Sequence, residues 1–235
     1  MSIAEKLTTI AENEQRVYDA GKKAEADLFW DEYQNNGARV DYQHAFRAGA
    51  GDGGGWTWER LSGIKHKATP TNAAYMFYRF GSAKNEAVGD YSLIADKFDF
   101  SKSTDMQYAF YSARMSNITL DLSSATNLSF AFSGAFDSSI KTLTLKVTEK
   151  WTTGANYAFA YCSGLQNLTF TEDSVIACDG LNLSWSGGLT HDSLMSVINA
   201  LKSGVTKTLT LGATNLAKLT NEEKAIATQK GWTLA

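Results

Sequence analysis

The sequence predicts an α/β repeat fold, a solenoid with a parallel strand ladder and short helical turns, preceded by an N-terminal amphipathic helix. Three observations predict it. The thirteen residues from Phe98 to Phe110 lie without a gap on Leu120 to Phe132, offset by 22 positions, with matching aromatic spacing and polarity. Self-similarity at an offset of this size marks stacked repeats. The pattern Thr-x-x-x-aromatic-x-Phe occurs four times, as Thr71 to Phe77, Thr104 to Phe110, Thr126 to Phe132 and Thr153 to Phe159. After each of the last three copies comes apolar-x-x-apolar-x-apolar: Met115-Ile118-Leu120, Ile140-Leu143-Leu145 and Leu165-Leu168-Phe170, with equivalent positions 25 apart.

From the N-terminus, Ile3, Leu7, Ile10, Val17, Ala24 and Leu28 recur in alternating steps of three and four, a heptad seam broken at Glu14 and Gly21. That spacing predicts a helix. Two uses fit it: docking on its own domain, or a self-association stalk through Ile3, Leu7, Ile10, Val17 and Leu28 that would make a homo-oligomer. Asn36-Gly37 suits a left-handed helix end. The run from Ala48 to Gly55 has too many glycines to hold regular structure cheaply, so it reads as a hinge. The domains are then 1–55, for attachment or self-association, and 56–235, the solenoid. The run lacks the Gly-Lys-Ser/Thr ending of a phosphate loop. Trp56 and Trp58, just beyond it, suit either stacking on a sugar or packing into a domain edge.

Within the repeat, the threonine is placed to cap a short helical turn, and the aromatic pair after it is expected to turn inward. Insertions such as Gly134-Ala-Phe136 fall between turn and strand, leaving strand register intact. A ladder at this spacing buries Leu120, Leu145 and Phe170 in one column, with Asp121, Lys146 and Thr171 on the open face. From about residue 181 the repeat gives way to a cap. Leu181-Asn-Leu183 reads as a strand, and Thr190-His-Asp-Ser opens a helix with Leu194, Val197, Ile198 and Leu201 on one face. Thr208 to Leu211 is a strand, Thr220-Asn-Glu-Glu223 a capping box for a helix to about Gln229, and Gly231 to Leu234 a last strand. Such a departure supplies the water-tolerant end that a stack of repeats needs.

A formal charge of −3 over 235 residues, with pI near 5.7, gives no electrostatic footprint for nucleic acid or an anionic membrane. Met-Ser-Ile-Ala-Glu-Lys-Leu is no signal peptide, and no segment approaches a membrane span, so the chain is expected to be made in the cytoplasm without insertion into a membrane. Cys162 and Cys178 make no disulfide framework. His44, His66 and His191 have no metal-ligand spacing, and no cofactor is expected. His191-Asp192-Ser193 holds the residue types of a catalytic triad, but adjacent residues at a helix start point apart. No carboxylate pair or calcium loop stands out. The open face should show Asp99, Thr119, Asp121, Thr144, Thr169, Asn182 and Thr210 as a ladder of short polar groups. Stacked Asp99 and Asp121 there would either be solvated or hold a cation or basic partner.

Tyr157-Ala-Phe-Ala-Tyr-Cys-Ser-Gly-Leu-Gln-Asn-Leu-Thr-Phe170 resembles the Ala-Phe-x-x-Cys-x-x-Leu-x-x-Ile-x-Ile unit of BspA-like leucine-rich repeats. Ala158, Phe159, Cys162, Leu165, Leu168 and Phe170 fall on its positions, while Ala113 and Ala135 stand where other copies would have cysteine. The resemblance covers about Thr71 to Ala235. It implies a leucine-rich-repeat-like solenoid in which Cys162 is a core wedge. The tail Thr210-Leu-Gly-Ala-Thr-Asn-Leu-Ala-Lys-Leu-Thr220 with Gly231-Trp232, and the opening from Leu7-Thr-Thr-Ile10 to Trp30-Asp-Glu-Tyr33, resemble leucine-rich-repeat proteins of phages and prophages of gut bacteria. The resemblance implies a non-enzymatic recognition or structural module of a virion, meeting a protein or a cell-surface glycan. The alternatives are a BspA-like surface adhesin, which needs an export route, and an enzyme acting on cell-wall glycans.

Overall fold

The computed structural model describes residues 45–46, 61, 67–80, 91–135 and 141–235, all in the compact unit Val40–Ala235. The helix expected over Ile3, Leu7, Ile10, Val17, Ala24 and Leu28 lies outside the described residues, as do the glycine run, Trp56, Trp58, Phe136 and Ile140. The described fold is mixed α/β, with two small parallel sheets, few helices and no closed barrel. In order it runs α1 (Ser92–Lys97), a 3-10 turn (Phe100–Lys102), β1 (Ile118–Asp121), β2 (Lys141–Lys146), β3 (Leu165–Phe170) and β4 (Leu181–Asn182). Then follow α2 (His191–Ala200), β5 (Lys207–Thr210), α3 (Gly212–Leu216), α4 (Asn221–Gln229) and β6 (Trp232–Leu234).

Strands β1, β2 and β3 form one sheet, with Ile118 beside Leu143 beside Leu168, and Leu120 beside Leu145 beside Phe170. That is the register of the 25-residue spacing in the sequence. Because side chains alternate across a strand, fixing the buried column also fixes its outward neighbours. The outer edge of β3 is closed by α2: the hydroxyls of Ser193 and Ser196 accept from the Leu168 and Phe170 amides at 2.9 and 2.8 Å. A covered edge cannot template pairing with another chain.

The four Thr-x-x-x-aromatic-x-Phe copies form tight turns joined by isolated parallel bridges, Asn72 to Asp105 to Asn127 to Thr153. They are not helical. Residues near φ +55 punctuate them, Tyr75 and Arg79 in the first copy, Tyr108 and Ser112 in the second. Alternate amides therefore point along the stack. The Ala73, Tyr75, Phe77 and Arg79 amides donate to the Asp105, Gln107, Ala109 and Tyr111 carbonyls at 2.7–2.9 Å, while those of Met76, Tyr78 and Phe80 close local turns. Every other polar group thus finds its partner in the next copy, which is how a buried turn satisfies its backbone.

Thr104 and Thr126 do not cap their turns. Thr104 gives both its amide and its hydroxyl to the Thr71 carbonyl, at 2.7 and 3.1 Å, and Thr126 does the same to Thr104 at 2.9 and 3.0 Å. Capping falls to the next residue, where Asn72, Asp105 and Asn127 accept from the amide two positions on at 2.9–3.0 Å. A short carboxylate or amide makes this turn more readily than a hydroxyl does.

The motif's second aromatic fills the core. Phe46, Phe77, Phe110, Phe132 and Phe159 stack nearly parallel with centroids 5.0–5.6 Å apart. Burial of one such ring stabilises by about 1.5–3 kcal/mol. Ala113, Ala135 and Cys162 are all fully buried. The Cys162 thiol donates to the Phe132 carbonyl at 2.9 Å, in keeping with a core wedge.

In the C-terminal part the expected elements are present: Thr190 caps α2, and Thr220 with Glu223 makes the capping box of α4. Helix α3 has no counterpart in the sequence reading. It is anchored by the buried Asn215, whose Nδ2 donates to the Leu183, Ser186 and Leu211 carbonyls at 3.1–3.3 Å.

Candidate functional site

The structure divides the expected open-face residues among several places. Thr119, Thr144 and Thr169 stand in one row across β1, β2 and β3. Asn182 and Thr210 pair with each other in the second sheet, β4-β5-β6. Asp121 lies opposite Lys146, whose ammonium is paired with Asp173. The Lys146 hydrogen bond, then that of Thr171, lowers the pKa of Asp173, and the same bond to Asp173 raises that of Lys146.

Asp99 is not in a strand; it precedes the 3-10 turn and accepts from the Ser101 amide at 2.9 Å. Burial raises its pKa, but the Ser101 hydrogen bonds with Lys67 and Lys102 outweigh that and hold the carboxyl below its usual range. Asp121 likewise accepts from the Ser123 amide at 2.9 Å. Each carboxylate is occupied by its own turn, and among the described residues no three His, Cys, Asp or Glu side chains gather as a metal site.

The main surface feature is aromatic, and it corrects the expectation that both rings of the motif turn inward. Only the second does. The first aromatics form an outer column: Tyr75, Tyr108, Phe130, Tyr157 and Trp185 stack with centroids 4.7–5.9 Å apart. Beside it Tyr78 stacks on Tyr111 at 5.0 Å, and Tyr161 on Trp185 at 5.7 Å. The backbone is left-handed at Tyr75, Tyr108 and Phe130 in this column and at Tyr161 beside it, while Tyr157 joins the column without a positive φ. Burial, then the phenols of Tyr75, Tyr111 and Tyr78, push the Tyr108 hydroxyl above its usual pKa, so it stays neutral.

The strip is most open at its C-terminal end, where Tyr157 is 42% and Tyr161 68% exposed. Amides flank it there: Asn182 Nδ2 donates to Asn156 Oδ1 at 3.2 Å, and Ser184 donates its hydroxyl to Asn182 Oδ1 at 2.7 Å. Farther along, Asn127 Nδ2 donates to Asp105 Oδ1 at 3.1 Å. Residues 122–136, 151–171 and 180–190 contain no Asp, Glu, Lys or Arg, and the charges that reach them from outside include Asp105 on Asn127 and Lys218, whose ammonium donates to the Gly187 and Leu189 carbonyls at 2.8 and 2.6 Å.

Elsewhere the chemistry is sparse. His191 turns its Nε2 to Glu223 at 2.8 Å, while the Ser193 hydroxyl donates to the Gln166 carbonyl at 3.0 Å, so no relay joins them. Burial pushes the Cys178 thiol up to about 12, which leaves it protonated and inert. An open groove along β6 is lined by Leu216, Lys224, Thr228, Trp232 and Leu234, with a single ammonium among hydroxyl and apolar groups. No helix among the described residues is long and apolar enough to cross a membrane.

The sequence does carry a signal for the strip. The motif's second aromatic is always Phe, whereas the first is Tyr in three of four copies. A phenol must reach water or a partner, which favours the outside. Gly134, at φ +66, occupies the turn position that Tyr161 takes in the following copy, and marks that position as left-handed. Trp185, outside the four motif copies, has no such signal. Comparison of the chain with protein-family models, curated proteins and solved structures found no match.

Proposed function

We propose that this protein is a non-enzymatic recognition module, built as a leucine-rich-repeat-like solenoid and carried on a phage particle, whose aromatic strip engages a protein or glycan of the host cell surface. The solenoid reading is supported by the repeat in the sequence and by turns that hydrogen-bond copy to copy along parallel bridges. The particle reading is supported by the resemblance of the opening and tail to phage-encoded proteins.

The observation that carries recognition is the strip itself. Large aromatic side chains cost little conformational entropy to immobilise, and rings already clamped between neighbours cost less still. Tyr and Trp are also the residues that most often dominate binding energy at an interface. Two-thirds exposure of Tyr161 has no stabilising return in burial, so a partner is the better account of it.

Quantitative mass spectrometry of particles purified from a lysogen carrying the gene tests the assignment. The protein is expected at a fixed ratio to tail proteins. Its absence from particles, with secretion from uninfected cells, would overturn the particle reading in favour of a surface adhesin.

A further inference from the structure

We infer that the ligand of the aromatic strip is an uncharged glycan, and that its main contact is the cluster of Tyr157, Tyr161 and Trp185 with the amides of Asn156 and Asn182. This rests on the strip being the binding face.

The geometry within the strip singles out one end. Inside the column each ring has both faces against neighbours 4.7–4.8 Å away, as Tyr108 and Phe130 do, so only edges and hydroxyls reach solvent. Tyr161 is different. It meets Trp185 at 5.7 Å and is 68% exposed, which leaves much of the ring open. It also holds φ +57, a conformation that costs a non-glycine residue about 1–2 kcal/mol. The preceding copy has Gly134 at that position, where no such cost arises. The position is left-handed in every copy, held by Arg79 at φ +57 and Ser112 at φ +50 in the first two, so what sets Tyr161 apart is an exposed ring at a place where other residues and glycine serve, which points to a use outside the fold.

The surroundings choose the class of ligand. A pyranose offers an apolar face of C–H groups bordered by hydroxyls. It therefore needs an open aromatic face beside planar groups that both donate and accept. Tyr161 supplies the face. Asn156 and Asn182 supply the amides, linked to each other at 3.2 Å so that they act as one fixed unit, and Ser184 adds a hydroxyl. The Asn156 Nδ2 has no protein acceptor among the described residues. Residues 151–171 and 180–190 supply no charged side chain, and the Lys218 ammonium that reaches the second segment is engaged by the Gly187, Leu189 and Asn215 oxygens at 2.6–3.1 Å, which leaves little complementarity for sialylated, sulfated or phosphorylated ligands. The same scarcity of charge weakens the steering and register that rim charges usually give protein partners.

The test uses the full chain on an array of neutral oligosaccharides (glucans, mannans, galactans and N-acetylhexosamine chains) alongside sialylated and sulfated ones. It is repeated on host cell envelopes treated with periodate or with protease. Binding to at least one neutral series is expected, together with envelope binding that survives protease and is lost to periodate. Tyr161→Gly is expected to weaken it at least tenfold while the melting temperature holds or rises, because the strain is relieved; Tyr161→Phe is expected to retain it. Binding only to charged glycans, or to no glycan, would overturn the inference. Envelope binding lost to protease and kept after periodate would also overturn it, and would leave the strip as the recognition face if Tyr161→Gly still weakened that binding. Glycan binding indifferent to both Tyr161→Gly and Tyr157→Ala would overturn the strip itself.

Discussion

If the inner rings form one continuous core, energetic coupling should follow their order in the stack rather than their distance in sequence. Phe110 is fully buried between Phe77 at 5.4 Å and Phe132 at 5.6 Å, with Phe100 edge-on at 5.9 Å. A stacked aromatic pair contributes about 0.5–1.5 kcal/mol beyond its buried area. Phe110→Leu keeps most of the volume but removes two such pairs, so it should cost about 1–3 kcal/mol through stacking alone. Phe132→Leu again removes the pair with Phe110, so the double variant should lose about 0.5–1.5 kcal/mol less than the sum. Phe77 and Phe132 do not stack on each other but share Phe110 as a partner, so their coupling should be smaller than that of Phe110 with Phe132. Urea unfolding of the six chains at unchanged m-value measures both cycles. Equal coupling in the two, or none between Phe110 and Phe132, would refute the column.

Three further outcomes follow from the geometry. A Cβ at Gly231, φ +93, would sit 1.6 Å from the Val205 carbonyl oxygen, whereas one at Gly180, φ +71, meets nothing within 4 Å. Gly231→Ala should therefore unfold the C-terminal part or cost above about 3 kcal/mol, and Gly180→Ala only about 1–2 kcal/mol, read by thermal unfolding. Ser193→Ala leaves the buried Leu168 amide without its acceptor and should cost about 1–3 kcal/mol, with faster hydrogen exchange at that amide. The Glu223 hydrogen bond, then that of Asp192, raises the pKa of His191 above 6.5, so its stabilisation is fully present below 6.5 and is lost as pH rises through the folded value. Melting temperature should fall across that interval in the native chain and stay flat in His191→Gln.

Strand register is legible in the sequence because a 25-residue spacing of apolar pairs permits only one pairing that buries both columns. The C-terminal helices are legible for a local reason: Thr190 and Thr220 cap their own chain, and capping is written within four residues. The turns are less so. The turns are left-handed at Tyr75, Tyr108 and Phe130, where the residue type gives little warning, so the helical alternation assumed for the two aromatics does not apply. Hence the first aromatic reads as inward when it lies outside, and the threonine reads as a cap when its hydroxyl serves the neighbouring copy. Trp185 joins the strip only through tertiary stacking on Tyr157 and Tyr161, and no periodicity announces it.

Hydroxyl-radical footprinting of the full chain, alone and on isolated bacterial envelopes, tests the proposed recognition face against the threonine row of the first sheet. Protection of Tyr157, Tyr161 and Trp185, with no change in the strand peptides that carry Thr119, Thr144 and Thr169, is the predicted result. Protection of the threonine row, with the three aromatic residues oxidised as fast as in the free chain, would contradict it.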